Sequence, residues 1–215
     1  MPLARRYFYY LNERGQLFHV FDIKGLVEHT RVPSGPTYLG EGSFLDFFYR
    51  RLRPNRLPQC VADSVRGTDG AAVMRLDDGC CLTPREFLRH FPYVSVCGAE
   101  KNFMKVQDAP VVFTDYNFAC GGDEELGGVL LFAGSLQEPF QAAALTVTRE
   151  GKLFHPITTL EHLQHGAAPA ATRGLVGAQV GLKLGFDFVC EELDSDGHFV
   201  IDWGGRKHVI AYAEE

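Results

Sequence analysis

The chain has 215 residues, of which 46% are hydrophobic and 17 are Phe. It is long enough for one large or two small domains with a real core, which excludes wholesale disorder. A net charge of −6, from 21 Lys and Arg against 27 Asp and Glu, argues against a phosphate-tracking surface, so nucleic acid is not an expected partner. No run of eighteen apolar residues occurs, so no transmembrane segment is expected and the chain reads as soluble. The nearest approach, residues 174–190, carries Gln179, Lys183 and Asp187. The six cysteines (60, 80, 81, 97, 120 and 190) form no CxxC, and read as reduced thiols.

Residues 1–6 run straight into a strand pattern, so a secretory signal is not expected, and a transit peptide would be very short or already removed. The aromatic run Tyr7-Phe8-Tyr9-Tyr10-Leu11 predicts a strand covered on both faces. A polar turn over 12–15 ends in Gly15, and residues 16–21 return. Residues 28–42 read as a loop. Ser43 then caps a helix carrying Phe44, Leu45, Phe47, Phe48 and Leu52 at helical spacing, closed by Pro54.

Residues 56–82, polar and rich in Asp, look like a partly mobile insertion. Thr83-Pro84-Arg85-Glu86 is a capping box that opens a short helix to about His90. Residues 93–97 predict a strand. Residues 103–106 and 111–114 predict a hairpin whose turn is formed by Asp108 and Pro110.

The Gly- and acid-rich stretch 120–128 is the candidate boundary between a first unit, 1–125, and a second, 126–215. Strands are expected at 129–133 and 144–148, and an Ala- and His-rich loop at 161–171. Residues 173–192 predict a long helix with Gly177, Gly181 and Gly185 along one face, a stripe that suggests close backbone packing. A final hairpin runs from 198 to 212 about a Gly204-Gly205 turn.

One phrase occurs twice. Gly15-Gln16-Leu17-Phe18-His19 returns 136 positions later as Gly151-Lys152-Leu153-Phe154-His155. Each copy lies in a hairpin pattern, and a helix and another strand pair follow it. The expected fold is therefore α+β: two tandem, related hairpin–helix–hairpin units of antiparallel sheet plus helix, with insertions in the first. Gly15, Gly151, Gly204 and Gly205 are assigned to turns.

Chemistry-bearing clusters are sparse. Cys97 with a histidine would make a nucleophile pair, but a small thiol at a strand end reads first as buried structure. Glu161, His162 and His165 can share a helix face, yet they fall short of a metal site, and Cys80 and Cys81 sit in the insertion. The paired glycines at 121–122 and 127–128 lack the Lys-Ser/Thr of a phosphate loop. No catalytic residue, metal or cofactor is expected. His19 and His155 read as satisfied hairpin histidines.

The run 50–56 carries most chemical interest. Its charges complement a helix C-terminus, or Arg53, Asn55 and Arg56 project together toward an anionic or carboxylate-bearing partner. Glu100, Lys101 and Asn102, from the neighbouring turn 98–102, join them as candidate binding residues.

Several phrases resemble a known family in order. They are Tyr7-Phe8-Tyr9-Tyr10 with Gly15-Gln16-Leu17-Phe18, then Arg51-Leu52-Arg53-Pro54-Asn55-Arg56, Cys97-Gly98-Ala99-Glu100-Lys101-Asn102-Phe103, and Asp108-Ala109-Pro110-Val111-Val112-Phe113. Glu138-Pro139-Phe140 and Gly151-Lys152-Leu153-Phe154-His155-Pro156 continue the series. Together they are similar to Uncharacterised Protein Family 0598, or domain of unknown function 4505, over about residues 5–157. That resemblance implies mitochondrial association in animals and an unassigned activity. The order of the motifs, through Arg173-Gly174-Leu175 and Trp203-Gly204-Gly205, also looks like bacterial domain of unknown function 1285. The second resemblance implies two related α+β halves, each pleckstrin-homology-like.

The function expected from all this is a non-catalytic, two-lobed mitochondrial binding module that recognises a protein or a small anionic ligand between the repeats. The alternatives are an accessory or assembly subunit of a large mitochondrial complex, and an enzyme with a dispersed site. A cytoplasmic location is the alternative to the mitochondrion.

Overall fold

The run predicted as a doubly covered strand is β1 (Arg6–Leu11), and its residues 8–11 are all buried. In the computed structural model, the described residues are 5–28, 37–67, 70–118, 128–165, 172–184, 199–203 and 206–213. The chain divides into two compact units, Met1–Asn12 with Gln16–Gln107, and Glu13–Gly15 with Asp108–Glu215. The composition shift chosen as the boundary lies almost wholly outside the described residues, and the division falls earlier in the chain.

Unit 1 continues through β2 (Leu17–Val20), α1 (Ile23–Glu28), β3 (Thr37–Leu39), α2 (Gly42–Arg50), β4 (Leu52–Pro54) and α3 (Leu57–Ala62). After these come β5 (Val65–Arg66), β6 (Ala72–Arg75), β7 (Cys81–Leu82), α4 (Pro84–His90), β8 (Tyr93–Cys97) and β9 (Glu100–Val106). Its main sheet has the order β3-β2-β1-β9-β8-β4. Period-2 alternation sends Phe8, Tyr10, Val20, Val94 and Phe103 to one face. There they meet Cys60, Met74, Leu76, Leu82, Phe87 and Phe91. The ring centroids of Phe8 and Phe91 are 5.0 Å apart, and those of Phe87 and Phe103 4.8 Å.

Over its described residues the stretch 56–82 is therefore regular structure rather than loop. It is folded into α3 and the small sheet β5-β6-β7, and its Cys60, Met74, Leu76 and Leu82 are part of the core on that face of the sheet. The opposite face carries α2, with Phe48 against Tyr9 at 5.2 Å. The capping box at α4 forms as the sequence specifies: Thr83 Oγ1 accepts from Glu86 N at 3.3 Å, and Thr83 N donates to the Glu86 carboxylate at 2.8 Å.

Unit 2 comprises β10 (Val112–Phe113), β11 (Asp115–Asn117), β12 (Val129–Phe132), β13 (Leu136–Pro139), a 3-10 turn at Ala142–Ala144 and β14 (Thr146–Val147). It goes on through β15 (Leu153–Pro156), α5 (Glu161–Gln164), β16 (Arg173–Val176), α6 (Ala178–Lys183), β17 (Phe199–Trp203) and β18 (Arg206–Tyr212). The main sheet runs β10-β16-β15-β14-β18-β17, beside a smaller sheet β11-β12-β13.

The duplication holds residue by residue. Tyr10 pairs with Phe18 and Leu11 with Leu17, just as Thr146 pairs with Phe154 and Val147 with Leu153. Phe18 and His19 face Tyr38 and Thr37, while Phe154 and His155 face Leu175 and Gly174. Leu11 lies parallel to Val106, and Val147 to Tyr212. The closing hairpins pair Cys97 with Glu100, and Trp203 with Arg206. Each hairpin brackets two residues; Gly204 and Gly205, the second pair, lie outside the described residues. The first turns match too: Asn12 N donates to Gln16 O at 3.2 Å, and Thr148 N to Lys152 O at 2.9 Å. Gly15 and Gly151 hold positive φ, +75° and +80°, where a side chain would be strained. Between the second and third strands of each unit lie residues 21–36 or 157–172, equal in length, so the insertion that sets unit 1 apart comes after α2.

Three expectations are corrected. The sheets are mixed rather than antiparallel, because β1 and β9, like β14 and β18, are parallel neighbours joined through everything between them. Residues 103–114 form no hairpin: β9 belongs to the first sheet, while β10 runs parallel to β16 in the second. The helix assigned to 173–192 is, over its described residues 173–184, a strand, β16, followed by α6 with Gly177 as its N-cap. Gly177 has strand-like φ −61° and ψ 148°, and Gly185 lies outside the described residues. Gly177 still serves close backbone approach, since a Cβ there would lie 2.8 Å from the Phe113 carbonyl oxygen.

Candidate functional site

The basic run 50–56 does not act as one surface, because three elements share it. Arg50 lies in the last turn of α2 and Arg51 is its C-cap, where cations suit the helix dipole. The Arg51 guanidinium sits 3.8 Å from the Phe47 ring centroid and donates to Phe47 O at 3.3 Å. Arg53 is on the edge strand β4, opposite Val94, and Arg56 is the N-cap residue of α3. Both are exposed.

Asn55 is internal. It is 6% exposed, and its Nδ2 donates to Phe91 O at 2.9 Å. Its Oδ1 accepts from Arg56 N at 3.1 Å and from the Cys60 thiol at 3.5 Å, while its backbone N donates to Pro92 O at 2.7 Å. The side chain that was expected to project with the arginines instead ties β4 to the end of α4, as a buried amide must find partners. Burial pushes the Cys60 thiol up from its ordinary value, away from nucleophilic use.

The hairpin β8–β9 turns at Gly98, with φ +57°. Asn102 is also buried, donating from Nδ2 to Ser95 O at 3.1 Å and accepting from the Tyr9 hydroxyl at 3.4 Å. Ser95 Oγ in turn donates to Phe48 O at 2.8 Å. These bonds join sheet to α2, and Asn102 offers no free amide to a ligand. Burial, with the charges of Tyr7 and Glu100 nearby, pushes the Tyr9 phenol up to about 12. Lys101 Nζ is 2.5 Å from Asp63 Oδ2 at the end of α3, and Glu100 lies 3.9 Å from Arg5. Of the six candidates, Arg53 and Arg56 are the exposed cations; Glu100 and Lys101 are half-buried and ion-paired.

In unit 2, Asp108 forms no hairpin turn. It holds Lys152, in the turn of the second copy of the repeat, at 2.5 Å, and its Oδ2 is buried without a partner. Pro110 is buried. His155 is 2% exposed. Its Nε2 accepts from Gln141 N at 3.1 Å, which leaves Nδ1 to donate to Pro156 O at 2.7 Å. Burial lowers its pKa, so it is a neutral, satisfied hairpin histidine. His19 lies among Tyr7, Tyr9 and Phe21, and partial burial lowers its pKa as well.

One polar residue escaped the residue-type reading. Glu138 is 1% exposed, and its carboxylate accepts from the backbone N–H and hydroxyl of both Thr158 and Thr159. The alternation along 136–139 with the adjacent Thr158-Thr159 was its only signal. Among the described residues no three metal-ligating side chains converge. Cys60, Cys80, Cys81 and Cys97 are free thiols, and among the described residues no helix is long and apolar enough to cross a membrane.

A family model described as Domain of unknown function (DUF4505) matches residues 82–213. The match takes in the phrases at 97–103, 108–113, 138–140 and 151–156 and reaches the last hairpin, whereas 51–56 lies outside it. A crystal structure of a DUF1285 family protein from Silicibacter pomeroyi DSS-3 is similar at 12% identity and a TM-score of 0.45, with 99% of this chain and 87% of that chain covered.

Proposed function

We propose that this chain, which belongs to the DUF4505 family, is a non-catalytic binding module for a protein partner or a small anionic ligand. The observation that carries this reading is the mounting of Arg53. Its neighbours in β4 and beyond, Leu52 and Asn55, are buried, so the backbone is held while the guanidinium stands exposed on the sheet edge. Among the described residues it has no ion pair. A cation presented on a fixed strand can engage a carboxylate or phosphate bidentately with little loss of freedom, and Arg56 lies close along the chain. The buried polar groups Asn55, Asn102 and Ser95 support the reading in another way: each already bonds backbone or a neighbouring side chain, which leaves Arg53 as the group turned to solvent.

The test compares Arg53→Ala/Arg56→Ala with the parent chain, in thermal melts and in pull-downs from mitochondria, the location that the family resemblance favours. The expected result is an unchanged melt with loss of specific partners. Retention of the full set of partners removes the assignment. Protease protection of the tagged chain in isolated organelles tests the location.

A second reading, an accessory or assembly subunit of a larger complex, has its own support. Phe21 and Tyr38 in unit 1, and Phe118 and Leu182 in unit 2, are more than half exposed. Co-migration with a large complex on native gels favours this reading over a free module.

A further inference from the structure

The duplication gives each unit an internal standard for its sheet edges, and the two edges are finished differently. In unit 2, the outer side of β16 is covered by β10 of the same chain. Leu175 N donates to Val111 O at 2.9 Å, and Gly177 N to Phe113 O at 3.0 Å. By the shared register, the equivalents in unit 1 are Tyr38 and Gly40. The hydrogen-bonding phase is also shared, because Asn12–Gln16 and Thr148–Lys152 are corresponding bonded pairs. Bonded and non-bonded pairs alternate in an antiparallel ladder. Phe18 therefore directs its backbone groups to β1, and Tyr38, opposite it, directs its own away from β2. Among the described residues no strand takes them up: β3 ends the sheet, and Tyr38 is 54% exposed.

We propose that the outer edge of β3 binds an extended segment of a partner protein, added parallel to β3 as β10 is added to β16. The donors are the backbone N–H groups of Tyr38 and Gly40. A glycine stands at both equivalent positions. At Gly177 a Cβ would meet the incoming carbonyl oxygen at 2.8 Å; the glycine at position 40 likewise places no Cβ there, and the Tyr38 ring, which lies 2.9 Å from that point, has to swing aside as the segment docks.

One difference sets the chemistry of the partner. In unit 2 the Phe113 ring lies against Gly174, where a Cβ would come within 2.6 Å of it. The equivalent of Gly174 in unit 1 is Thr37, whose side chain fills that place. The incoming segment therefore carries a β-branched residue where β10 has Phe113, within an otherwise Val-rich, uncharged run. Strand addition of this kind draws affinity from main-chain bonds and specificity from alternate side chains. This edge lies at the opposite end of the sheet from Arg53, so it stands or falls separately from the cationic surface.

The experiment uses the full chain and a synthetic peptide of residues 109–114 carrying Phe113→Val, followed by residue-resolved amide hydrogen exchange. The expected result is at least tenfold slower exchange at Tyr38 and Gly40 with millimolar peptide. Tyr38→Ser, which keeps both donors, should retain the effect. Tyr38→Pro, which removes an outward donor, and Gly40→Val, which obstructs the carbonyl, should each abolish it. Unchanged exchange at the solubility limit of the peptide overturns the proposal, as does peptide binding to Gly40→Val equal to that of the parent. So does a dimer of the chain in which both amides are already protected, since a second copy would then be the occupant.

Discussion

Asn55 and Arg53 sit two positions apart and do opposite jobs, because strand geometry and the chain's turn into α3 send one inward and leave the other in solvent. Removing the Asn55 amide leaves Phe91 O and Arg56 N without their buried partner, a loss of about 1–3 kcal/mol. Asn55→Ala should lower the unfolding free energy from urea titration by that amount, while Arg53→Ala should stay within about 0.5 kcal/mol of the parent. Equal losses in the two variants would place Arg53 in the scaffold as well. His155 carries a pH prediction. Burial lowers its folded-state pKa below the ordinary 6.5, so the unfolded chain binds the proton more readily. Its contribution is complete above about pH 6.5, declines as pH falls below that value, and levels off once the folded-state pKa is passed. Urea unfolding at pH 7.5 and 5.5 should show a steeper loss for the parent than for His155→Asn. His19 and His90 shift in the same direction, so the difference between the two chains is the quantity to read.

Helix α6 and strand β16 show what a glycine stripe can conceal. Gly177 caps the helix and passes under the carbonyl of Phe113, so Gly177→Ala should cost about 1–3 kcal/mol by overpacking backbone that cannot move. Gly40→Ala, at the equivalent place, meets only the ring of Tyr38 at 2.9 Å, which can swing aside, and should unfold within about 0.5 kcal/mol of the parent. Chemical denaturation of the two variants checks the contrast. The elements legible in the sequence were those fixed locally: both copies of the Gly-x-Leu-Phe-His hairpin, the capping box at Thr83, and the closing hairpin ending at Tyr212. Those misread depend on distant partners. Val111-Val112-Phe113 alternates no differently whether it returns on β9 or joins β16. Arg173-Gly174-Leu175-Val176 shares a helical spacing with residues 177–192, yet lies as a strand because Phe154 faces Leu175 and Val112 flanks it. In the candidate site the residue types were legible but their directions were not, since Asn55 and Asn102 are drawn inward by carbonyls far along the chain.

Across the whole molecule, one pattern of strand pairing is used twice and finished at opposite ends of its sheet. Unit 1 extends past β8 with β4, and unit 2 extends past β16 with β10. Amide exchange of the free chain should reflect this, with Leu175 and Gly177 protected and Tyr38 and Gly40 exchanging quickly; protection of all four would mean that the edge of β3 is already occupied. The pairing of β1 with β9 has a consequence for how the chain comes to be folded. Arg6 lies beside Lys101, so the middle of the first sheet joins the two ends of its unit, and such non-local closure slows folding. During synthesis the hairpin β1–β2 emerges long before β9 or the phenylalanines of α4. Until then its aromatic strand, with no charge between Tyr7 and Leu11, is an uncovered edge of the kind that aggregates. The hairpin β1–β2 therefore stays uncovered during synthesis until the residues that pack on it have been made.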